Sequence, residues 1–321
     1  HGKTTSTAMT VTALRSIGGD PTFIVGGQMA AFNTGAHLGS GPQFVLEADE
    51  AFGTFRHLHL EALMVTNIEA DHLDYYGSVA ALEEAFALVA ARVNGPVIGC
   101  IDDAGVRRLG ERVELTTYGM APGAAWRIVD LAHGSGDVSF RLEGPSGERA
   151  PVTVPIPGAH TASNAAGVLA LLASAGHDLG AAAAGLAGFR GVRRRFEVRG
   201  RVNDITVVDD YAHHPTEIGV TIAAGRHGGW NRVLAVFQPH RYTRTANLGP
   251  EFGAPLAVAD KVIVTEIYAA DERPIPGVTG KLVAEAVAAA GGDVDYVPAL
   301  AAVPERVVAM ARPGDLVLLL G

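Results

Sequence analysis

Short apolar runs alternate along the chain with longer stretches in which apolar residues recur every three or four positions. The runs at 43–48, 62–67, 96–101, 205–208, 232–237, 261–265 and 316–320 have strand length and are dominated by apolar side chains. Such runs suit strands buried on both faces of a parallel sheet. Between them, 5–17, 79–91, 161–175, 216–226, 281–290 and 299–311 carry a helical period. Strand and helix in alternation predict α/β units. The stretch 125–154 differs. Val138, Phe140 and Leu142 alternate with polar residues, and turns such as Gly144-Pro145-Ser146-Gly147 punctuate it. It reads as antiparallel strands added to the first sheet. A helix runs out near 185–192, and a second α/β series begins after it, so two domains are expected, 1–188 and 189–321.

Composition narrows the function classes. The 321 residues fit two domains, and a net charge of −9 argues against nucleic-acid binding, which needs clustered Lys and Arg. No apolar run approaches the roughly 18–20 residues of a membrane span, so no membrane partner is expected and the cytoplasm is the default location. Cys100 stands alone, which excludes an internal disulfide and leaves a buried thiol as its plain reading.

Three polar clusters carry the candidate chemistry. The first is His1-Gly2-Lys3-Thr4-Thr5, ahead of a helical pattern. It matches the last part of a phosphate-binding loop, in which backbone N–H groups and the helix N-terminus face phosphates, Lys neutralises them and a hydroxyl reaches Mg²⁺. The same string also suits an ordinary helix start with Thr as N-cap. The second cluster, Glu47-Ala48-Asp49-Glu50, lies at the carboxyl end of the 43–48 run, where open α/β sheets bind ligands. Its acids suit a metal site or a solvated strand end, and the metal is favoured. The third, Thr66-Asn67-Ile68-Glu69-Ala70-Asp71-His72-Leu73-Asp74, again follows a strand. A His among carboxylates is a candidate for a second metal or for substrate contact.

These strings resemble the Mur ligases of peptidoglycan synthesis. The resemblance extends through Gly191-Val192-Arg193-Arg194-Arg195-Phe196-Glu197, Asp209-Asp210-Tyr211-Ala212-His213-His214-Pro215-Thr216-Glu217 and Phe237-Gln238-Pro239-His240-Arg241-Tyr242-Thr243-Arg244-Thr245. It implies an α/β fold: a central phosphate-loop, mononucleotide-binding domain with a mostly parallel sheet plus added antiparallel strands, then a Rossmann-like C-terminal domain that binds the amino acid. It also implies a UDP-binding domain ahead of residue 1, without which residues 1–321 turn over no sugar nucleotide.

The implied activity joins L-alanine to the lactyl carboxylate of UDP-N-acetylmuramate, using ATP and Mg²⁺, with Mn²⁺ as an alternative ion, in a monomer or homodimer. By motif position, Gly2, Lys3, Thr4 and Thr5 meet the phosphates, and Thr4 with Glu47 holds one metal. His72 holds the second. Asn164, with His160 opening the same motif, contacts adenine. Arg194 and Asp210 reach the nucleotide from the second domain. Asn67, Tyr211, His213, Arg241 and Arg244 serve substrate and alanine. Lys3, His72, Arg194 and His213 are the catalytic candidates. The family usually follows Glu-Ala-Asp-Glu with Ser-Asp, where this chain has Ala51-Phe52, and it usually has Asn where this chain has Thr161.

The chemistry suits these residue types. A carboxylate is a poor electrophile and is first phosphorylated, which demands charge neutralisation and positioning. The alanine carboxylate suits a forked cation, and Arg241 and Arg244 are spaced to face one site at a helix start. Three rivals stay open: a ligase that recycles a tripeptide onto the same sugar nucleotide, a folylpolyglutamate- or cyanophycin-type ligase, and a degenerate nucleotide-binding protein without catalysis.

Overall fold

A computed structural model describes residues 1–321, the Asp74 side chain excepted. The chain divides into two compact units, His1–Ala132 with Asp137–Val192, and His133–Gly136 with Arg193–Gly321.

The first unit opens with α1 (Lys3–Ser16), followed by β1 (Thr22–Met29), β2 (Thr34–His37) and β3 (Phe44–Leu46). Next come β4 (Leu63–Val65), α2 (Leu73–Tyr76), α3 (Val79–Ala90), β5 (Val97–Cys100), α4 (Ala104–Gly110) and β6 (Thr116–Gly119). It ends with β7 (Trp126–His133), β8 (Val138–Glu143), β9 (Arg149–Val154), α5 (Ala159–Ser174) and α6 (Leu179–Leu186). Its strands form two sheets, ordered β2-β1-β3 and β4-β5-β6-β7-β8-β9. β4 to β7 run parallel, and β8 and β9 close the edge as an antiparallel pair. The sequence reading of a mostly parallel sheet with antiparallel additions therefore holds. The 43–48 run does not join the large sheet, however. β3 pairs in parallel with β1, a strand that the sequence pattern hid. β1 carries Gly26-Gly27 in its middle, and mainly alternate side chains of it are buried.

α1 is rich in Thr, a weak helix former, yet it is buried. Three of its threonine hydroxyls bond back along the helix: Thr7 to the Lys3 carbonyl, Thr10 to Ser6 and Thr12 to Ala8. α5 places Ala162, Ala165, Ala166 and Gly167 in the core, so its backbone comes close to β5 and β6.

The second unit contains β10 (Glu197–Val202), β11 (Ile205–Asp210), α7 (Pro215–His227), β12 (Arg232–Phe237), α8 (Tyr242–Leu248), α9 (Gly253–Leu256) and β13 (Lys261–Val264). It is completed by α10 (Gly280–Ala289), β14 (Val294–Tyr296), α11 (Val303–Met310) and β15 (Asp315–Leu320). The sheet order is β10-β11-β15-β12-β13-β14, parallel except for the β10–β11 hairpin. β15 is inserted between β11 and β12, and Leu320 registers with both Asp210 and Phe237. The loops leaving β11 and β12 therefore start level with each other, on either side of β15. Among the described residues, no helix of either unit is long and apolar enough to cross a membrane.

One capping residue links fold to site. The Asp103 carboxylate accepts from Val106 N (2.8 Å), capping α4, and from Ile68 N (3.1 Å) in the loop after β4. Asp103→Ala removes both. A lost cap costs about 1 kcal/mol and an orphaned amide about as much again. Thermal or urea unfolding should show a loss of about 2 kcal/mol, and a neutral result would remove Asp103 as the anchor of the 66–72 loop.

Candidate active site

In the first unit, α1 starts at Gly2, whose left-handed φ of 78° turns the chain into the helix. Asn164 reaches the same spot from α5, where a Cβ at Gly2 would lie 2.7 Å from its Oδ1. The position thus excludes a side chain both by φ and by space. The first amides of α1 have no partner inside the helix, so they and the helix dipole form an anion-binding end.

The strand ends supply the oxygens. Thr4 Oγ1 donates to Glu47 Oε1 at 2.8 Å, and Gly26 N donates to Glu47 Oε2 at 2.6 Å. A Cβ at Gly26 would stand 2.8 Å from that carboxylate and would push it off the Gly26 amide. Lys3 Nζ pairs with Glu50 Oε2 at 2.6 Å and Asp49 Oδ1 at 3.1 Å. Burial alone would lower the Lys3 pKa, but Glu50 and Asp49 outweigh it and hold the ammonium above its ordinary value. His72 has a left-handed φ of 53°, and its Nε2 lies 3.7 Å from Asp71 Oδ2. Ligand atoms of Asp49, Glu50 and His72 all fall within 4.8 Å of one another. The structure thus gathers the expected Lys3, Thr4, Glu47 and His72 around one strand end. It adds Asp49 and Glu50, which the sequence reading had not singled out from their string.

Thr66 Oγ1 and Asn67 Nδ2 both donate to the His1 carbonyl, at 2.7 and 3.0 Å, so the loop after β4 holds the start of the phosphate loop. Thr5 lies in the first turn of α1. His160 stands in the first turn of α5, and burial pushes its pKa down to about 4.

In the second unit, Arg194 and Phe196 both adopt positive φ, 58° and 48°. Two backbone donors from this turn and its neighbour fix it: Phe196 N to Asp210 Oδ2 and Ala212 N to Asp210 Oδ1, each 2.8 Å. Tyr211 N donates to the Arg194 carbonyl at 2.8 Å. Asp210 is 7% exposed, and burial raises its pKa to about 6 against the pull of Arg195 and those two amides. Each oxygen of the Asp210 carboxylate thus already accepts one amide of the turn. It is Arg194 that the turn presents, its guanidinium 4.8 Å over the Tyr211 ring and its Nε 3.5 Å from Asp209.

His213 Nδ1 donates to the Tyr211 carbonyl at 2.8 Å, since a carbonyl can only accept. This leaves Nε2 as the acceptor of a neutral ring. Burial pushes the pKa of His213 down to about 4, with Glu217 opposing and Arg244 assisting. Glu217 also takes the amides of His213 and His214, and with Pro215 it caps α7. The rings of Tyr211, His213 and His240 stand 4.7 to 6.2 Å apart. Arg244 Nη1 lies 3.3 Å from His240 Nδ1. Arg241 is the α8 N-cap, with φ 74°. Burial lowers the His240 pKa, and the Arg244 and Arg241 charges lower it further. Both arginines thus act on one neighbourhood, and His240, present in the motif but not chosen as a site residue, sits between them and Tyr211.

A helix N-terminus with acids at the neighbouring strand end, followed by an α/β unit with a His/Arg cluster at its own strand ends, is the arrangement expected of a two-unit nucleotide-dependent ligase. A model of the Mur ligase middle domain matches residues 1–172, and one described as Mur ligase, glutamate ligase domain, matches 194–321. The chain belongs to the Mur ligase family. It is 44% identical to the UDP-N-acetylmuramate–L-alanine ligase of Mycolicibacterium vanbaalenii, across 100% of this chain and 70% of that protein. It is 43% identical to the ligase of the same name from Acidothermus cellulolyticus, across 100% of this chain and 69% of that protein. The solved UDP-N-acetylmuramate–alanine ligase of Thermotoga maritima superposes with a TM-score of 0.84 at 28% identity, covering 100% of this chain and 70% of that one.

The two lowered histidines give a pH prediction. An ordinary His takes up a proton near pH 6.5, whereas His160 and His213 do so near pH 4. Between these values the unfolded chain binds protons that the native state refuses, so stability falls as pH falls. Asp210, raised from 3.8 to about 6, works the other way, since its native state binds the extra proton. In the first unit His160 has no such offset from Asp210. Melting temperature should therefore drop between pH 7 and pH 5, with a shallower slope in His160→Gln. An unchanged slope would exclude buried His160 as the source.

Proposed function

We propose that the protein catalyses ATP-dependent amide formation between L-alanine and the lactyl carboxylate of UDP-N-acetylmuramate, through an acyl phosphate, in peptidoglycan precursor synthesis. The observation that carries this reading is the presence of both reactive clusters in a chain 44% identical to ligases of that name. The phosphate loop and its acids suit the phosphorylation step. The Tyr211/His213/His240 cluster with Arg241 and Arg244 suits the amine.

The first unit, taken as residues 1–188, binds ATP. The amides of Gly2, Lys3, Thr4 and Thr5 and the α1 N-terminus face the phosphates, and Lys3 neutralises them. Asn164, packed on Gly2, and the neighbouring His160 line the adenine side. The residues present fit divalent cations. Thr4 Oγ1 and the Glu47 carboxylate converge at 2.8 Å and are hard oxygen donors, as Mg²⁺ prefers. His72 with Asp49 and Glu50 forms a mixed nitrogen and oxygen set that also suits Mn²⁺. Bound there, such ions supply neutralisation of the substrate carboxylate and γ-phosphate, two anions that otherwise repel. Asn67 orients the acceptor substrate beside them.

The second unit, taken as residues 189–321, binds alanine. Arg241 and Arg244 hold its carboxylate, and Tyr211 shapes the pocket wall. His213 is neutral at pH 7 and can accept a hydrogen bond from the alanine nitrogen at Nε2. With a pKa near 4 it orients the amine rather than storing its proton. Arg194 is this unit's candidate phosphate-binding cation, and Asp210 pins the turn that carries it.

The test is phosphate release by the protein as its gene encodes it, with ATP and UDP-N-acetylmuramate. L-Alanine should stimulate release, and Arg241→Ala or Arg244→Ala should raise the KM for alanine about 10–100-fold, the scale of one charge-assisted contact. Stimulation by a tripeptide and not by alanine would replace the acceptor, and no stimulation by either would end the reading.

A further inference from the structure

The Lys3 ammonium occupies the carboxylates that a cation at His72 would need. It lies 2.6 Å from Glu50 and 3.1 Å from Asp49, and both acids belong to the set whose ligand atoms fall within 4.8 Å of His72. The Glu50 main chain and the Asp49 side chain are each tied by a further bond. Tyr76 Oη donates to the Glu50 carbonyl at 2.6 Å, and Ala51 N donates to Asp49 Oδ1 at 3.2 Å. The Glu50 side chain is 16% exposed and that of Lys3 is 29% exposed, so water screens the pair only partly. Glu47 is different. Its partners are a hydroxyl and an amide, with no resident cation.

We propose that Lys3 is a placeholder cation. In the protein without nucleotide it fills the Asp49/Glu50 pair and keeps a divalent cation away from His72. Nucleotide phosphate draws the ammonium off and opens the pair. This rests on reading residues 1–5 as the phosphate loop. The physical argument is competition: an ammonium and a divalent cation drawn to the same two carboxylates repel each other and contend for the same oxygens, so each weakens the hold on the other. The Thr4/Glu47 position has no such gate, so the two positions load differently. The first accepts a cation at any time, and the second does so only once phosphate is present. Loading the His72 side before nucleotide would seat a cation with no γ-phosphate to bridge, and the ion pair prevents that order.

The test is Mn²⁺ alone, titrated into nucleotide-free protein and read by electron paramagnetic resonance of free Mn²⁺. Lys3→Met should gain one tight Mn²⁺ equivalent over wild type, or at least tenfold in affinity for it. Lys3→Arg, which keeps the cation, should show no gain. The gain should vanish in Lys3→Met/Glu50→Gln and in Lys3→Met/His72→Gln. Circular dichroism melts confirm that each variant is folded. Equal Mn²⁺ isotherms for wild type and Lys3→Met overturn the proposal. A separate arm measures ADP binding in EDTA. ADP binding that Lys3→Met leaves untouched would refute the phosphate loop itself, whatever the Mn²⁺ titration shows.

Discussion

Three carboxylates, Glu47, Asp49 and Glu50, follow one three-residue strand, β3, and like charges at such spacing repel strongly where water is partly excluded. The surrounding structure of the first unit answers that repulsion one donor at a time. Glu47 receives a hydroxyl from α1 and an amide from β1. Asp49 and Glu50 receive the Lys3 ammonium, and the backbone of Glu50 is tied to Tyr76. The donors come from α1, β1 and α2, so these elements must be placed together before the acids are tolerable. The same arrangement makes the site responsive. Every donor that quiets an acid is one that phosphate or a divalent cation can displace or replace, so the resting charge balance is already the template of the loaded one.

The second unit solves a related problem by burial. Asp210 and His213 lie at the end of β11, and burial pushes each toward its neutral form, the acid to about 6 and the imidazole to about 4. Backbone groups then set their orientation: two amides hold Asp210, and one carbonyl fixes the His213 tautomer. Arg241 and Arg244 stand at this end of the sheet beside His240, whose pKa burial lowers, with Arg194 and Glu217 also close by. A cluster of two cations among neutral rings favours a small zwitterion, whose carboxylate meets the arginines while its nitrogen meets an uncharged acceptor.

Much of this was legible in the residues. The strand/helix alternation and the sheet of mostly parallel strands follow from hydrophobic period, because a strand buried on both faces has nowhere to hide polar side chains. β1 escaped the same logic: half of it faces outward, and Gly26 and Gly27 are there for the approach of Glu47 and Val192, not for a turn. Lys3, Thr4, Glu47 and His72 could be nominated one motif at a time. That Lys3 reaches Asp49 and Glu50 could not, since the partners are 46 and 47 positions apart and the match depends on side-chain reach. The contacts of Asp210 were hidden in the same way. An acid at a strand end reads as a ligand, and nothing in the string reveals that the amides of Phe196 and Ala212 converge on it.

These two sets of contacts bear on how the reaction can be ordered. If Asp210 is spent on its turn, the charge that the second unit offers a nucleotide is positive, through Arg194. If Lys3 is spent on Asp49 and Glu50, the first unit offers an empty protein less positive charge than its sequence suggests. Nucleotide binding then has to exchange one ion pair for another, and the exchange releases two carboxylates beside His72. Affinity for phosphate is lowered by the pair that must break, but the released acids raise affinity for a second cation in the same step. Binding energy that would otherwise tighten the ground state is directed into assembling the metal set that phosphoryl transfer needs, which is where it accelerates chemistry.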